Sequence, residues 1–456
     1  MELSSVGLRF RGNQASAQEV LRAVEPLHDV LRQVASKNAL DEKLAEYAFF
    51  PLTHIFNQTQ QLPARCLEVA VHSLDILVRS GYRHQLSPAL GKQLIILLTL
   101  VVAGSPNNND GKKQQLPKAQ ASEELAVAGF DCMRAIFEVL QGPVAEKTIF
   151  HEIGTATVVD QTVYMLLEGL VDQRSDDVCV AAANALQSLY SRITDRVVLA
   201  SIMPRTVSAL AKVVRPTTQV RRSYKLLQVS IQILTSLLRT VLSDSVVDAE
   251  KPSPSLAEND SLVLDESWLK ATTTQIKLAL ANIIQIRRHQ RLEVQTAMLE
   301  LCVMVIEDCP KTLKDALQMM TETAVVLSDK EEEGSNQAYN TVFHLATSYP
   351  VVLESLKEAL HTWLTSFPRI MQSNDESAKQ WGIRQISTVF QILSQVQSQS
   401  DLLTSSLATG LCDSVSACIA PRSVRASSPA PTTGRSEHVA SFQANEEAYR
   451  RSQTPY

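Results

Sequence analysis

The chain has 456 residues, of which 45% are hydrophobic and 5% aromatic, and 43 Lys and Arg against 48 Asp and Glu give a formal net charge of −5 at pH 7. The hydrophobic fraction excludes disorder throughout, and the length indicates several domains or one elongated array. The acidic balance is not that of a general polyanion binder, which presents a basic face, so no direct nucleic-acid partner is predicted.

The first quarter of the chain predicts four helices. In residues 16–36, Val24, Leu27 and Leu31 follow one another at spacings of three and four, which places one apolar stripe on a helix. The next helix opens with two acidic residues and the following two open with proline, a residue favoured at a first helical position. These three helices are predicted over residues 41–56, 63–81 and 88–104.

Membrane and export signals are weak in this sequence. The most hydrophobic window, Leu94–Ala103, has about half the length that a bilayer span needs, so it indicates a buried core helix. The N-terminal residues lack the apolar run of a signal peptide. We therefore expect a soluble intracellular protein with no membrane span.

Two polar segments interrupt the helical pattern, which otherwise runs from about residue 16 to about residue 419. The last stretch is rich in Ser, Thr, Pro and Arg and has no apolar face. The predicted organisation is a flexible N-terminus over 1–15, a helical array over 16–242 with an exposed loop at 105–122, a disordered linker or insertion at 243–260, a second helical array over 261–419, and a disordered tail over 420–456.

Four helical segments resemble one another and indicate an internal repeat. Each begins with polar residues, continues with a small or β-branched anchor and ends in an aliphatic stripe. The anchors are separated by roughly one, two and two units of about 40 residues, which is the HEAT period; they are Val178, Val220, Val294 and Ala378. A helix pair cannot bury its apolar face alone and must stack on neighbours. The predicted fold is an all-α, HEAT/armadillo-like α-solenoid of stacked antiparallel helix pairs.

Residue patterns that carry catalysis or bind metals are not found. The sequence has no phosphate-binding glycine loop, no dinucleotide fingerprint, no zinc-protease motif and no nucleophile elbow. His151 and Glu152 adjoin each other, but no second histidine follows at helical spacing. The seven cysteines are scattered without CxxC spacing, which favours reduced, buried thiols. We predict a protein that is not an enzyme and needs no cofactor or metal.

Two basic clusters stand out against the acidic average. The simpler interpretation is that each is a solvated turn whose cations favour the C-terminal end of the preceding helix. The other is that they are candidates for docking an acidic or phosphorylated segment of a partner protein. The first cluster consists of Arg215, Arg221, Arg222 and Lys225, and the second consists of Arg287, Arg288 and Arg291, with His289 between them.

Large aromatic side chains are few, so their positions matter. The corner Phe49–Phe50–Pro51 and the indoles of Trp363 and Trp381 are the main candidates for a partner contact. Packing in the core is the other interpretation of the same residues.

Several long strings resemble the N-terminal half of the Tti-one family, in its fungal branch. They are YAFFPLTHIF (47–56), RCLEVAVHSLDILVRSGYR (65–83), LGKQLIILLTLVVAG (90–104), LEGLVDQRSDDVCVAAANALQSLYSRITDR (167–196), MPRTVSALAKVVRPTTQVRRSYKLLQ (203–228), LDESWLKATTTQIKLALANI (264–283) and LELCVMVIEDCPKTL (299–313). The resemblance covers roughly residues 16 to 400.

This resemblance implies a non-catalytic scaffold. Tti-one is the large HEAT-repeat subunit of the TTT co-chaperone complex, whose other subunits are Tel-two and Tti-two. The family works with the Hsp-ninety machinery to mature and stabilise phosphatidylinositol-three-kinase-related kinases of the TOR, ATM and ATR types, in the cytoplasm and nucleus. Growth signalling, the DNA-damage response and telomere maintenance depend on those kinases. The family has no catalytic residues to carry over to this chain.

A different α-solenoid adaptor, such as a karyopherin-like transport receptor, is the alternative function. Receptors of that class carry regular acidic and Trp/Asn arrays along the inner face of nearly every repeat. Three tryptophans in 456 residues cannot supply such an array.

Overall fold

The computed structural model describes most of the helical part of the chain. The described residues are 2–12, 14–59, 61–103, 122–152, 157–171, 175–215, 222–249, 264–328 and 335–396, with six further positions between 408 and 416. Within these ranges the regular elements are helices and no strand occurs. The predicted all-α fold class is confirmed.

The chain divides into two compact units. The first comprises Met1–Val214, Ser223–Ile283 and Thr296–Lys314, and the second comprises Arg215–Arg222, Ile284–Gln295 and Asp315–Tyr456. The sequence predicted a disordered linker or insertion at residues 243–260, and the described chain on both sides of that segment belongs to the first unit.

Helices make up most of the described residues of the first unit. Two stretches of π-helix, Leu77–Tyr82 and Glu146–Phe150, extend α4 and α7. In chain order the helices are α1 Glu2–Arg11, α2 Ala17–Ser36, α3 Glu42–Phe56, α4 Ala64–Ile76, α5 Pro88–Ala103, α6 Glu123–Val139, α7 Pro143–Ala145, α8 Val158–Val171, α9 Asp176–Tyr190, α10 Arg196–Val214, α11 Tyr224–Leu242, α12 Asp244–Ala249, α13 Glu266–Ile283 and α14 Leu292–Asp308, whose first four residues fall in the second unit.

Serine side chains start several of these helices. Ser16 accepts a hydrogen bond from the backbone N–H of Glu19, whose side chain reaches back to the backbone of Ser16, and this forms a capping box. Ser122 and Ser223 accept in the same way at the starts of α6 and α11. The helix starts near residues 16, 41, 63, 88 and 123 that the sequence indicates agree with the structure to within one or two residues.

The N-terminus differs from its predicted flexible state. Residues 2–11 form a helix that packs on α2 and α3 and buries Leu3 and Val6. The Gln58 side-chain amide donates to the carbonyl of Gly7 at 3.1 Å. A ten-residue helix has little stability alone, so these tertiary contacts stabilise it. The local sequence pattern did not predict the helix because it does not contain these contacts.

Two layers of helices make up most of the first unit. Helices α2, α4, α6, α9 and α11 pack in that order on one side, and α5, α8, α10 and α13 pack in order on the other. The pairs α5 with α6, α8 with α9 and α10 with α11 join the layers. This is the stacking of antiparallel helix pairs that a solenoid requires.

Small residues allow these helices to approach closely. A Cβ on Gly129 of α6 would lie 2.3 Å from a methyl carbon of Val102 on α5. In α9 four alanines are buried in the fold: Ala181, Ala182, Ala183 and Ala185. A larger side chain at these positions would push two helices apart.

The predicted linker at 243–260 begins as ordered structure. Residues 244–249 form α12, and the Asp244 carboxylate accepts hydrogen bonds from the backbone N–H groups of Lys311 and Thr312 at 2.8 and 2.9 Å. The Thr312 hydroxyl donates to the carbonyl of Leu242. These contacts hold α12 to the turn after α14. Residues 250–260 lie outside the described residues, as do residues 105–121 of the loop predicted at 105–122 and the predicted tail at 420–456.

Two stretches of the first unit are apolar enough to span a membrane by length and composition. They are Arg196–Val214 and Tyr224–Ala249, and 61% and 67% of their most apolar windows are buried inside the fold. Helix α5, predicted as a core helix, buries Leu94, Leu98 and Val102 but leaves Leu100 exposed. Burial of this kind is what core helices of a helical stack show.

The helices of the second unit pack on one another around a shared core. Helix α15 contacts α16, α17 and α18, and α17 contacts α16 and α18. Their bounds are α15 Leu317–Leu327, α16 Ser335–Ser348, α17 Pro350–Gln372 and α18 Glu376–Val396. Leu356 and Leu360 of α17 and Val389 and Leu393 of α18 are fully buried in this core.

The four predicted repeat anchors have different environments. Val178 and Val294 are buried, Ala378 is half-buried, and Val220 lies outside the described residues. The interval from α11 to α14 was predicted to hold two repeat units, but one long helix, α13, lies between them among the described residues. Residues 250–263 of this interval lie outside the described residues.

Candidate docking surfaces

His151 and Glu152, the adjoining pair that the sequence singled out, have structural partners. The hydroxyl of Thr194 lies 3.0 Å from Nε2 of His151, and Glu152 forms an ion pair with Lys92. Among the described residues, no group of three His, Cys, Asp or Glu side chains is arranged to hold a metal ion. The two residues thus fasten the π-helical turn after α7 to its neighbours.

Cysteines in the described regions behave as small apolar residues. The prediction of buried thiols is confirmed for Cys66, Cys132, Cys179, Cys302 and Cys309, while Cys412 is exposed and Cys418 lies outside the described residues. Burial raises the pKa of the Cys309 thiol to about 12. A thiol with so high a pKa is a poor nucleophile at neutral pH.

The first basic cluster flanks the turn between α10 and α11. Arg215 is exposed directly after α10, Arg222 is half-buried directly before α11, and Lys225 is exposed in the first turn of α11. Arg221 lies outside the described residues. The predicted role of this cluster in docking stays a prediction.

The second basic cluster lies in an ordered turn of the second unit. After the 3₁₀ turn Ile284–Ile286, Arg288 and Arg291 are exposed and Arg287 is half-buried. The backbone N–H of Arg287 donates to the carbonyl of Ile284 at 3.0 Å. The turn thus presents its arginines from a fixed backbone.

His289 holds the middle of this turn. Its backbone N–H donates to the carbonyl of Ile286 at 2.9 Å, and its ring Nδ1 accepts from the backbone N–H of Arg291 at 3.2 Å. The side-chain amide of Gln295 donates to the carbonyl of His289 at 2.9 Å. These three bonds explain why the turn is compact although it carries three arginines.

Trp381 on α18 brings this turn together with a fourth arginine. The guanidinium carbon of Arg288 lies over the indole ring, 4.6 Å from its centroid, and that of Arg384 lies 5.8 Å from the same centroid. Attraction between a cation and an aromatic ring orients both side chains. We call Arg287, Arg288, Arg291, Trp381 and Arg384 the Arg–Trp cluster.

Sequence reasoning named four members of the Arg–Trp cluster but did not connect them. Trp381 was weighed as a separate aromatic, and Arg384 was not considered. The signal for Arg384 is local, because residues three apart on a helix share a face and Arg384 follows Trp381 by three. The link to the turn could not be found locally, since about 90 residues of sequence separate Arg288 from Trp381.

Trp381 has neighbours on α15 and on its own helix. The buried residues Val325, Val326 and Thr388 and the half-buried Gln385 line the same small gap as the indole. The ring itself is half-buried. A contact between Trp381 and a partner stays a prediction.

The aromatic corner of α3 is exposed in part. Phe50 is 61% exposed and Tyr47, one turn earlier, is 68% exposed, while Phe49 and Pro51 are half-buried. Phe50 contacts the ring of His54 edge-on, with centroids 5.3 Å apart. Leu44 continues this apolar strip on the same face of α3.

A charged network lies on α4 and α6 of the first unit. Arg79 binds Asp75 at 2.9 Å, Glu138 of α6 at 3.4 Å and the carbonyl of Asp131 at 3.1 Å. Arg134 also contacts Glu138, at 2.7 Å. Burial raises the pKa of Asp75, and the charge of Arg79 opposes that rise. The network ties α4 to α6 across their surface.

Comparison with known proteins gives one family and several relatives. Residues 8–331 match the family described as "TTI1 N-terminal TPR domain". The TPR of that description and the HEAT repeat predicted from the sequence are both stacks of helix pairs that differ in repeat length.

The relatives are proteins named for their interaction with another protein. "TELO2-interacting protein 1 homolog" of Homo sapiens is 24% identical over 402 residues, covering 80% of this chain and 35% of the relative. The mouse homolog is 22% identical over 401 residues, with the same coverage. "TEL2-interacting protein 1" of Saccharomyces cerevisiae is 24% identical over 325 residues, covering 64% of this chain and 30% of the relative. The chain therefore spans about a third of the length of these relatives.

Proposed function

The chain belongs to the TTI1 N-terminal TPR domain family, and from this premise we propose that it is a non-catalytic scaffold in a TTT-type co-chaperone complex. Its direct partners are a Tel-two protein, the TEL2 or TELO2 of the relatives' names, and a Tti-two protein. The observation that carries the proposal is the family match over residues 8–331 together with relatives named for binding TELO2 or TEL2.

The fold supports a scaffold in physical terms. A two-layer stack exposes much surface for its mass, and repeat proteins use such surfaces to bind other proteins. Exposed apolar residues on α3 and charged residues on α4 and α6 offer contacts of different chemistry. The seven basic residues predicted for docking remain part of the proposal: Arg215, Arg221, Arg222, Lys225, Arg287, Arg288 and Arg291.

The proposal extends to the clients of the complex. With the Hsp-ninety machinery, the scaffold supports maturation and stability of phosphatidylinositol-three-kinase-related kinases of the TOR, ATM and ATR types, in the cytoplasm and nucleus. Loss of the protein then lowers the amounts of these kinases without changing their transcripts. Immunoblots beside transcript measurements after rapid depletion test this; unchanged kinase amounts would contradict the client role while leaving complex membership intact.

Affinity purification from the native cells tests membership of the complex. We expect the tagged chain to recover Tel-two and Tti-two proteins and a TOR-type kinase, identified by mass spectrometry. Recovery of transport cargo and the Ran GTPase in their place would favour the karyopherin-like alternative. A variant with Arg221→Glu and Arg222→Glu should lose one partner selectively and keep its helical melting curve.

A further inference from the structure

Two histidines meet where α2 packs on α4. His28 of α2 is half-buried, and its ring centroid lies 6.2 Å from that of His72 on α4, with the two rings tilted by 54°. Nδ1 of His28 also lies 3.3 Å from the hydroxyl oxygen of Ser73, which is fully buried on α4. An ionisable ring of one helix thus contacts two consecutive residues of the other.

The hydroxyl of Ser73 determines which nitrogen of His28 carries the hydrogen. Ser73 has one hydroxyl hydrogen, which it donates to the carbonyl of Val69 at 2.8 Å. Towards His28 the same oxygen therefore accepts, so the neutral ring holds its hydrogen on Nδ1. In the part of the chain that the structure describes, Nε2 of His28 has no hydrogen-bond partner. A second proton, added at Nε2, forms no new bond within the protein.

The charges around His28 also oppose a second proton. Burial lowers the pKa of His28 below its ordinary value of 6.5. The nearby cationic groups His72, Arg32 and Arg65 lower this pKa further, while the carboxylate of Asp29 on α2 raises it. Protonation of His28 therefore costs free energy in the folded chain that it does not cost in the unfolded chain.

The charges of α4 are arranged around Glu68. This carboxylate pairs with Arg65 at 2.7 Å and lies 3.9 Å from Nε2 of His72, and both partners are on its own helix. When His72 takes up a proton it gains the neighbouring Glu68, whereas His28 then faces another cation across the helix contact. Acidification thus adds repulsion between α2 and α4.

We propose that His28 and His72 make the contact between α2 and α4 sensitive to pH, so that acidification loosens α2 from the first unit. A histidine whose pKa is lowered by folding stabilises the fold fully above its unfolded value of 6.5, and this contribution is lost as the pH falls below that value. A difference of one pKa unit between the two states corresponds to a tenfold change in the opening equilibrium.

Cys66 is a natural probe of this opening. It lies on α4, is 1% exposed, and its thiol donates to the carbonyl of Ala17 at the start of α2 at 3.5 Å. A reagent reaches this thiol when α2 leaves α4. Cys132 of α6 is fully buried and serves as the reference in the same molecule, because its exposure reports a wider opening of the first unit.

Thiol labelling of the purified full chain tests the proposal. The chain is treated with a maleimide at about pH 7.5 and about pH 5.5, and the rate at each cysteine is measured by mass spectrometry of its peptide. We expect the rate at Cys66, divided by that at Cys132, to rise by about threefold to tenfold at the lower pH. Taking the ratio removes the effect of pH on thiol reactivity itself.

Histidine variants assign the rise to the pair. His28→Gln carries an amide that stays neutral, so its ratio should be nearly the same at both pH values. His72→Gln removes one of the cationic neighbours and should reduce the rise in part; it tests the same pair if His28→Gln does not fold. His361→Gln, at an exposed position of α17, is the matched control and should keep the full rise. Circular dichroism establishes that each variant is folded.

Three results would overturn the proposal. They are a ratio that does not change with pH in the natural chain, a full rise that persists in both His28→Gln and His72→Gln, and an equal loss of the rise in His361→Gln. The inference concerns the chain alone and does not depend on the proposed complex, so either can fail while the other holds.

Discussion

The first unit and the Arg–Trp cluster of the second unit use arginine in opposite ways. In the first unit Arg196 is buried and its Nε donates to the carbonyl of Val241 at 2.9 Å, and Arg79 joins α4 to α6. In the cluster, Arg288 is exposed and lies on a half-buried ring at the surface. Both arginines of the first unit join elements of the fold, although Arg79 is itself exposed, whereas Arg288 lies against an aromatic ring at the surface of the second unit. The predictions below test whether this division holds.

The largest effect is expected at a helix junction of the first unit. Gly129→Ala places a carbon 2.3 Å from a methyl group of Val102, so α5 and α6 must separate. We expect the free energy of unfolding to fall by about 3 kcal/mol, the upper end of the cost of overpacking. Chemical denaturation measures the loss. Gly12→Ala is the matched control, because its Cβ would meet only ordinary contacts at 3.6 Å or more; an equal loss there would show that close packing is not the cause.

Removing the buried arginine is expected to cost somewhat less. Arg196→Leu leaves the Val241 carbonyl without its charged donor, and we expect a loss of about 2 kcal/mol. Arg205, which pairs with Asp160 at the surface, is the comparison residue, and Arg205→Leu should cost no more than about 1 kcal/mol. If the denaturation curves of the two variants coincide, the buried arginine contributes no more to stability than the one at the surface.

Alkaline pH should weaken the first unit through Cys309. Burial raises the pKa of this thiol from 9.0 to about 12, so the unfolded chain ionises first as the pH rises. The stability that the neutral thiol contributes is complete below pH 9 and is lost between there and pH 12; we expect about 1 kcal/mol between pH 8 and pH 10. Tyr82, whose pKa burial also raises to about 12, acts in the same direction.

The Cys309 contribution is isolated by a Cys309→Ala variant. Its denaturation free energy should fall less steeply over the same pH range, although its stability at pH 7 is lower because a buried side chain is shortened. Parallel curves for the variant and the natural chain would assign the alkaline loss to other groups.

The smallest stability effect is expected in the Arg–Trp cluster. Arg288→Ala removes one exposed cation from the indole, a contact worth about 0.5–1 kcal/mol at most. Thermal melts should therefore shift by little. A large drop in melting temperature would place Arg288 with the structural arginines of the first unit.

Much of the fold could be predicted because helix signals are local. Serine caps, prolines at helix starts and the stripe of Val24, Leu27 and Leu31 are read within a few residues, and the structure has helices there. The family resemblance, carried by long strings, also held. The helical N-terminus was missed because its stability depends on α2 and α3, which lie outside any local window.

The candidate sites could be predicted only in part, because contacts between residues that are distant in the sequence are not visible in a local window. The arginines of the turn were visible as a charge run, but the ring that orients Arg288 belongs to a helix about 90 residues later. The spacing of the repeat anchors predicted two units between α11 and α14, and α13 is the long helix found there among the described residues. Spacing reports distance along the chain, and the structure was needed to show which helices fill it.

The most direct test of the scaffold claim uses two purified proteins. The full chain is mixed with the Tel-two protein from the same organism, and the mixture is analysed by size-exclusion chromatography with light scattering. The account predicts one species whose mass is that of a stoichiometric complex, formed at micromolar concentration and without nucleotide. Two separate peaks at the masses of the single proteins, under conditions where both remain folded, would contradict it.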